Sequence, residues 1–308
     1  MPFDDLRRTL TRAGFSTATA RPPGSRGRTE EATIRPASLI EHPTVRALDV
    51  GPPQPCPEPI AFLDGIQHHQ VVGYHGTFPL VAGIASAAVR ERQDRRLTTV
   101  VEASRRLVIG RRSALERVPD WLAPYQSVVL DEDDEQHPVR EIDRAVAKID
   151  DARSALKLQV GRAYRQRSDG WIIVDGSLAA STDFAEDRRM LGVSRSHATL
   201  PFRGDDLGTY LALPEGHRSS VFEPASRRFT PVYAWGLRLW PWQGRDLLFG
   251  LVRVEAARRP ETLEQADRWS RWVLAERAPV SAPDGRWDRL LYGIHNVEDY
   301  LRSRLPAR

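Results

Sequence analysis

The sequence predicts an α/β fold, a mixed sheet of an antiparallel meander plus parallel strands, flanked by helices. Three observations predict it. Extended apolar stretches follow one another from Ile60 with short glycine-containing links, a long segment of helical periodicity comes next, and that segment runs into the fully apolar stretch Trp171-Ile-Ile-Val-Asp175. Short links favour antiparallel neighbours, whereas a strand reached through a long helix favours parallel pairing.

Along the chain, Phe3, Leu6, Leu10 and Phe15 have near-helical spacing and precede a Pro/Gly/Arg-rich segment over 21–29. This predicts a short helix and a loose linker. Five prolines between positions 51 and 59 exclude helix and central strand. The expected division is therefore an N-terminal helix and linker over 1–55 and a folded domain over 56–308, its core beginning near Ile60. Strands are expected at 60–64, 69–74, 79–89 and 97–109, followed by a solvated acidic loop at Asp131-Glu-Asp-Asp-Glu135. A helix is expected from about Val139 to Arg167, with Ile142, Val146, Ile149, Leu156 and Val160 on one side. It stops at Ser168-Asp-Gly170, and the apolar run that follows has the character of a strand buried on both faces. Further strands are expected at 190–193, 230–239 and 247–255, then helices near 263–277 and 286–304.

Composition narrows the function classes. The chain has 308 residues, enough for a sizeable core, and a formal net charge of +4, too mild by itself to imply a nucleic-acid partner. Local clusters such as Arg105, Arg106, Arg111 and Arg112 can still form a basic track or a solvated surface. A single cysteine, Cys56, builds neither an intrachain disulfide nor a thiolate zinc site. The first residues contain acids and no apolar core of a secretory signal, and no run is long and apolar enough to span a membrane. A cytoplasmic location is expected. No Gly-x-x-x-x-Gly-Lys-Ser/Thr loop occurs, so a motor activity would have to come from a partner.

Two segments share one design, an apolar run followed by Asp-Gly: Phe62-Leu-Asp64-Gly65 and Ile173-Val-Asp175-Gly176. A carboxylate where a buried strand emerges is held rigidly, and glycine after it permits close approach to the backbone. Asp-Gly after a strand is also an ordinary turn signal. Two such acids on neighbouring strands would suit Mg²⁺ or Mn²⁺, and a pair of such ions about 3.5–4 Å apart suits phosphodiester hydrolysis. An acid on the first strand, a meander, a helix and an acid on a buried fourth strand is the order of the RNase H-like fold.

With those motifs the chain resembles the NurA family of nucleases, through Phe62-Leu-Asp64-Gly65, Ile173-Val-Asp175-Gly-Ser-Leu178, Gly192-Val-Ser-Arg-Ser196, Val252-Arg-Val-Glu255 and Trp287-Asp-Arg-Leu-Leu-Tyr-Gly-Ile-His295. The resemblance spans roughly residues 58–305 and implies an RNase H-like core, manganese-dependent cleavage of DNA, a homodimer and partnership with a HerA-type hexameric translocase. It places Asp64 and Asp175 on the family's metal-binding aspartates and His295 on its C-terminal histidine, which would bind a metal or handle a proton. The pattern departs at two points. Eight positions before His295 stands Trp287 where the family has tyrosine, and near the family's helix glutamate stands Gln159. Asp151 is the expected third acid for the metal.

Other polar residues have two readings each. Arg195 and His197 suit a phosphate or plain loop polarity, and Arg253 suits a phosphate or a buried ion pair with a neighbour. Trp235, Trp240, Trp242, Trp269 and Trp272 suit base stacking or, more commonly, a core. His68 and His69 are adjacent in a predicted strand and point to opposite faces.

Overall fold

The computed structural model describes residues 32–93, 96–116, 125–130, 137–225, 230–278 and 291–305. The chain divides into two compact units: a first from Met1–Glu58 with Trp171–Tyr292, and a second from Pro59–Gly170 with Gly293–Arg308. Both are α/β, and each contains parallel and antiparallel strand pairs.

The described part of the N-terminal region forms three short strands, β1 (Thr33–Ile34), β2 (Ser38–Leu39) and β3 (Ala47–Asp49). This corrects the expectation that the folded core starts near Ile60. These strands pair inside the first unit, and Val45 is buried in its core beside Phe202, Tyr210 and Phe222. Strands of two or three residues are too short to show an alternating pattern, so nothing local announces them. The helix expected at 3–15, the linker at 21–29 and the acidic loop at 131–135 lie outside the described residues.

The second unit is built on β4 (Ile60–His75), β5 (Phe78–Gln93) and β6 (Arg96–Gly110), an antiparallel meander, followed by a short helix α1 (Arg112–Leu115) and β7 (Gln126–Val129), which pairs parallel with the last residues of β6. The two strands expected at 60–64 and 69–74 are one continuous strand. Gly65 is no turn: a Cβ there would stand 2.9 Å from Lys157 Cγ and 3.2 Å from Arg153 Cγ, so glycine lets a helix approach mid-strand.

That helix is α2 (Pro138–Arg165). It starts on Pro138, whose fixed φ suits the first turn, and carries Arg162 and Arg165 in its last turn, where cations complement the helix dipole. Ala145, Ile149, Leu156, Val160 and Tyr164 form its buried stripe. Ile149 sits on Gly83 of β5, where an added Cβ would collide with Ile149 Cδ1. Small residues Ala85 and Ala87 continue that face of β5, both fully buried. Tyr164 ends the stripe and donates to Glu91 Oε2 at 2.5 Å, its phenol pushed up to about 12 by burial and by that carboxylate.

The remainder of the first unit runs β8 (Trp171–Asp175), α3 (Thr182–Glu186), β9 (Met190–Ser194), β10 (Thr199–Leu200), α4 (Gly204–Leu211), β11 (His217–Ser219), β12 (Phe222–Glu223), β13 (Val232–Arg238), β14 (Leu251–Ala257) and α5 (Pro260–Ala275). β8 is parallel to β9, and β9, β14 and β13 pair antiparallel in turn. β14 begins at Leu251, later than its apolar run suggests. The reason is Arg238, fully buried, whose guanidinium donates to the carbonyls of Leu211 and Leu213 and of Leu247 and Phe249, holding the stretch before Gly250 as a loop. Trp235, Trp269 and Trp272 are buried in this unit, Trp235 donating to Ser270 Oγ at 2.8 Å, so these three tryptophans are core rather than base-stacking platforms. The last element, α6 (Tyr292–Ser303), belongs to the second unit from Gly293 onward and packs that glycine on the ring of Phe62.

Because α2 depends on the hollow at Gly83, Gly83→Val is expected to lose about 1–3 kcal/mol through overpacking against Ile149, although valine is the better strand former. Urea unfolding measures it, and a midpoint equal to wild type contradicts this packing account.

Candidate active site

Asp175 is the last residue of β8, whose other four residues are buried, and its side chain is 19% exposed. Strand pairing brings the chain to this point, and the turn after it is held by three devices. Gly176 has φ +109° and donates its N–H to Val193 O at 2.9 Å. Gly192 of β9 packs under the turn, where a Cβ would stand 2.8 Å from Gly176 O and 2.9 Å from Leu178 Cγ. The third device is Glu255 of β14, which is 1% exposed. Its Oε2 accepts from Ser177 Oγ at 2.7 Å and from the N–H of Leu178 at 2.9 Å, while Oε1 accepts from Arg253 Nε at 2.9 Å.

A buried carboxylate with three donors is an anchor, because removing it would leave those donors without an acceptor in a dry interior. Arg253 is thus the ion-pair partner of Glu255. Arg195 stands over Asp175 itself, its Nη2 at 3.3 and 3.4 Å from the two carboxylate oxygens. Sequence reasoning quoted Glu255 only as part of a motif; its role depends on pairing between β14 and β9, which no local pattern encodes.

His197, weighed as a phosphate contact, is turned inward. Its Nε2 is 2.9 Å from Leu251 O, and burial, together with the charges of Arg253 and Arg238, holds its imidazole below the ordinary value.

Asp64 lies in the second unit, inside β4 rather than at its end, and is 4% exposed. It sits where the strand changes character: Ile60 through Ile66 are buried, whereas His68, His69 and Gln70 are exposed. Its Oδ1 accepts the N–H of Gly65 at 2.6 Å and lies 3.7 Å from Lys157 Nζ. The flank of α2 beside this strand carries Arg153 and Lys157, one turn apart, with Asp150 one turn earlier and bonded to Arg153 at 2.7 Å. Asp151 is exposed and rotated by about 100° from Asp150, onto the other flank together with Gln159. The third acid expected at Asp151 therefore does not join Asp64. The stems of Arg153 and Lys157 pack on Gly65, the strand face opposite Asp64, and the ammonium of Lys157 reaches the Asp64 carboxylate.

His295 lies on α6, half-buried, with Nε2 3.0 Å from Asp299 Oδ2. That helix covers Phe62, which shares a strand face with Asp64 by alternation. Trp287, at the position of the family's tyrosine, lies outside the described residues.

As hard oxygen donors, Asp64 and Asp175 are of the kind Mg²⁺ and Mn²⁺ prefer, and such ions are commonly held by one or two protein carboxylates with water and phosphate oxygens completing the shell. In donor chemistry they fit. Among the described residues no group of three or more His, Cys, Asp or Glu is gathered to hold a metal, and each aspartate faces a cationic side chain instead.

No family model and no curated protein matches the chain. Among solved structures it is similar to the crystal structure of the NurA nuclease from Sulfolobus solfataricus, with a TM-score of 0.49 and 10% sequence identity over 87% of this chain and 81% of that one. A likeness that distant transfers no residue role, and the chemistry rests on this chain's own side chains. No helix among the described residues is long and apolar enough to cross a membrane.

Two outcomes follow from the first unit. Glu255→Gln keeps the shape but removes the charge and one acceptor, and is expected to cost about 2–4 kcal/mol; an unchanged denaturant midpoint contradicts the anchor. For His197 the folded value is depressed, so the unfolded chain takes up the proton first as pH falls below about 6.5. Stability present above that pH is lost below it, and His197→Gln is expected to flatten the decline in urea midpoint between pH 7.5 and 5.5; equal declines contradict it.

Proposed function

We propose that the protein is a divalent-cation-dependent nuclease that hydrolyses DNA phosphodiesters, with Asp64 and Asp175 as its metal-binding acids. The observation that carries this reading is Asp175: an accessible carboxylate at the end of a buried strand, on a turn fixed by Gly176, Gly192 and Glu255. So much structure behind one partly exposed acid is what a preorganised ligand requires. The resemblance of five sequence motifs to those of NurA nucleases supports the same assignment.

In this reading Mn²⁺ or Mg²⁺ supplies an activated water and neutralises charge on the phosphate. The protein's own residues do the rest. Glu255 and Ser177 keep the Asp175 turn from yielding, and Arg195 balances Asp175 when no cation is bound and is free to turn to a phosphate when one is. Lys157 does the same for Asp64. His295, held by Asp299, is the residue of this set proposed to carry a proton. Without a phosphate loop the chain would rely on a HerA-type hexameric translocase for movement along DNA, acting with it as a homodimer in the cytoplasm, in DNA-end processing or in defence against foreign DNA.

A second reading has its own observation. The flank of α2 beside β4 offers Arg153 and Lys157, and the acid on that flank, Asp150, is bonded to Arg153, which suits a catalytically reduced subunit that binds DNA or the translocase without cutting.

Cleavage of end-labelled DNA with Mn²⁺ separates them. Asp175→Ala is expected to lower the rate by about 100-fold or more, the scale of removing a metal ligand. Equal rates for both proteins end the nuclease assignment, and absence of cleavage by wild type at millimolar Mn²⁺ establishes the reduced subunit.

A further inference from the structure

The two flanks of α2 differ in kind. One lies along β4; the other stands over the outer edge of β6. Among the described residues β7 covers that edge only at Leu107–Gly110, so the edge from Arg96 to Arg106 borders a groove of about 450 Å³, lined by Arg105 of β6 and by Ala155, Leu158, Gln159, Arg162, Ala163 and Gln166. Register explains the lining: Arg105 pairs opposite Ala85, on the face that α2 covers, while positions 155, 159, 162 and 166 follow one helical line. The two alanines leave the hollow.

The groove's chemistry is one-sided. Its polar lining is two guanidiniums and two carboxamides, and Arg105, Gln159, Arg162 and Gln166 are all exposed. Arg167, just beyond α2, donates to Val100 O at the same edge at 3.3 Å. Asp151, one turn before Ala155, is the acid on this line of the helix and stands at its end. Guanidinium groups match phosphate oxygens in pairs, and glutamine amides donate to phosphate and sugar oxygens. Gln159 to Gln166 covers about 10 Å along the helix axis, roughly three nucleotides at 3.4 Å each.

We propose that this groove binds the sugar–phosphate backbone of a nucleic-acid strand, through Arg105 and Arg162 with Gln159 and Gln166, on the flank of α2 away from β4. The choice of nucleic acid among polyanions rests on the function proposed above; the groove's preference for phosphate does not depend on cleavage.

Fluorescence anisotropy with a labelled 20-nucleotide DNA, single-stranded and duplex, in EDTA and at 50–300 mM KCl, tests this without metal. Arg105→Ala/Arg162→Ala is expected to weaken single-strand binding by about tenfold and to reduce the salt slope by about 1.4, two phosphate contacts at about 0.7 each. Both residues are exposed, so an unchanged thermal midpoint is expected, and Arg162→Glu should weaken binding further. Unchanged affinity and slope in the double variant overturn the proposal. So does wild type that binds neither DNA, or that binds polyglutamate as tightly and loses it in the same variant. A chain that binds DNA through these arginines in EDTA yet cuts none with Mn²⁺ keeps the groove and loses the nuclease, which tells the two failures apart.

Discussion

The second unit depends on one close approach, the seating of Ile149 on Gly83. Because β5 is the middle strand of the meander and presents Gly83, Ala85 and Ala87 to the helix, α2 lies low over it, and its rotation is set by the buried stripe from Ala145 to Tyr164. Everything else on the helix follows from that rotation. One flank delivers Arg153 and Lys157 to β4 and Asp64, and the other delivers Gln159 and Arg162 to the edge of β6. A helix turned by one residue, about 100°, would exchange these surroundings.

The two aspartates are held by different means. Asp64 is buried in a continuous strand and balanced by a lysine, an arrangement whose charges stay satisfied without any ligand. Asp175 ends its strand on a turn braced from beneath by a buried glutamate and two glycines, and faces an arginine in partial contact with solvent. Desolvation makes the Glu255 brace stringent: its carboxylate is tolerable in the interior because Ser177, Leu178 and Arg253 all donate to it.

Much of the architecture was legible because it is written in long periodic segments. The helix expected at 139–167 is α2, and Trp171–Asp175 is the buried strand it appeared to be. Shorter or tertiary features were not legible. The strands near the N-terminus have too few residues to show a period, and Gly65 reads locally as a turn although its purpose is contact with α2. In the site, the Asp-Gly pattern drew attention to Asp64 and Asp175, but sequence distance alone could not tell Asp151 from Asp150. Adjacent helix residues differ by a face, and the face is decided by packing against β5. Lys157 and Glu255 were passed over for the same reason, since their importance comes from neighbours far away in the chain.

The central proposal is that each of these two carboxylates is a ligand of a divalent cation. Anomalous scattering from crystals soaked in Mn²⁺ and a short DNA tests it most directly. The account predicts manganese at about 2.0–2.2 Å from a carboxylate oxygen of Asp64 and from one of Asp175, with Lys157 and Arg195 displaced from them. Manganese bound elsewhere, or ion pairs from Lys157 and Arg195 that persist with neither aspartate coordinating metal, would contradict it.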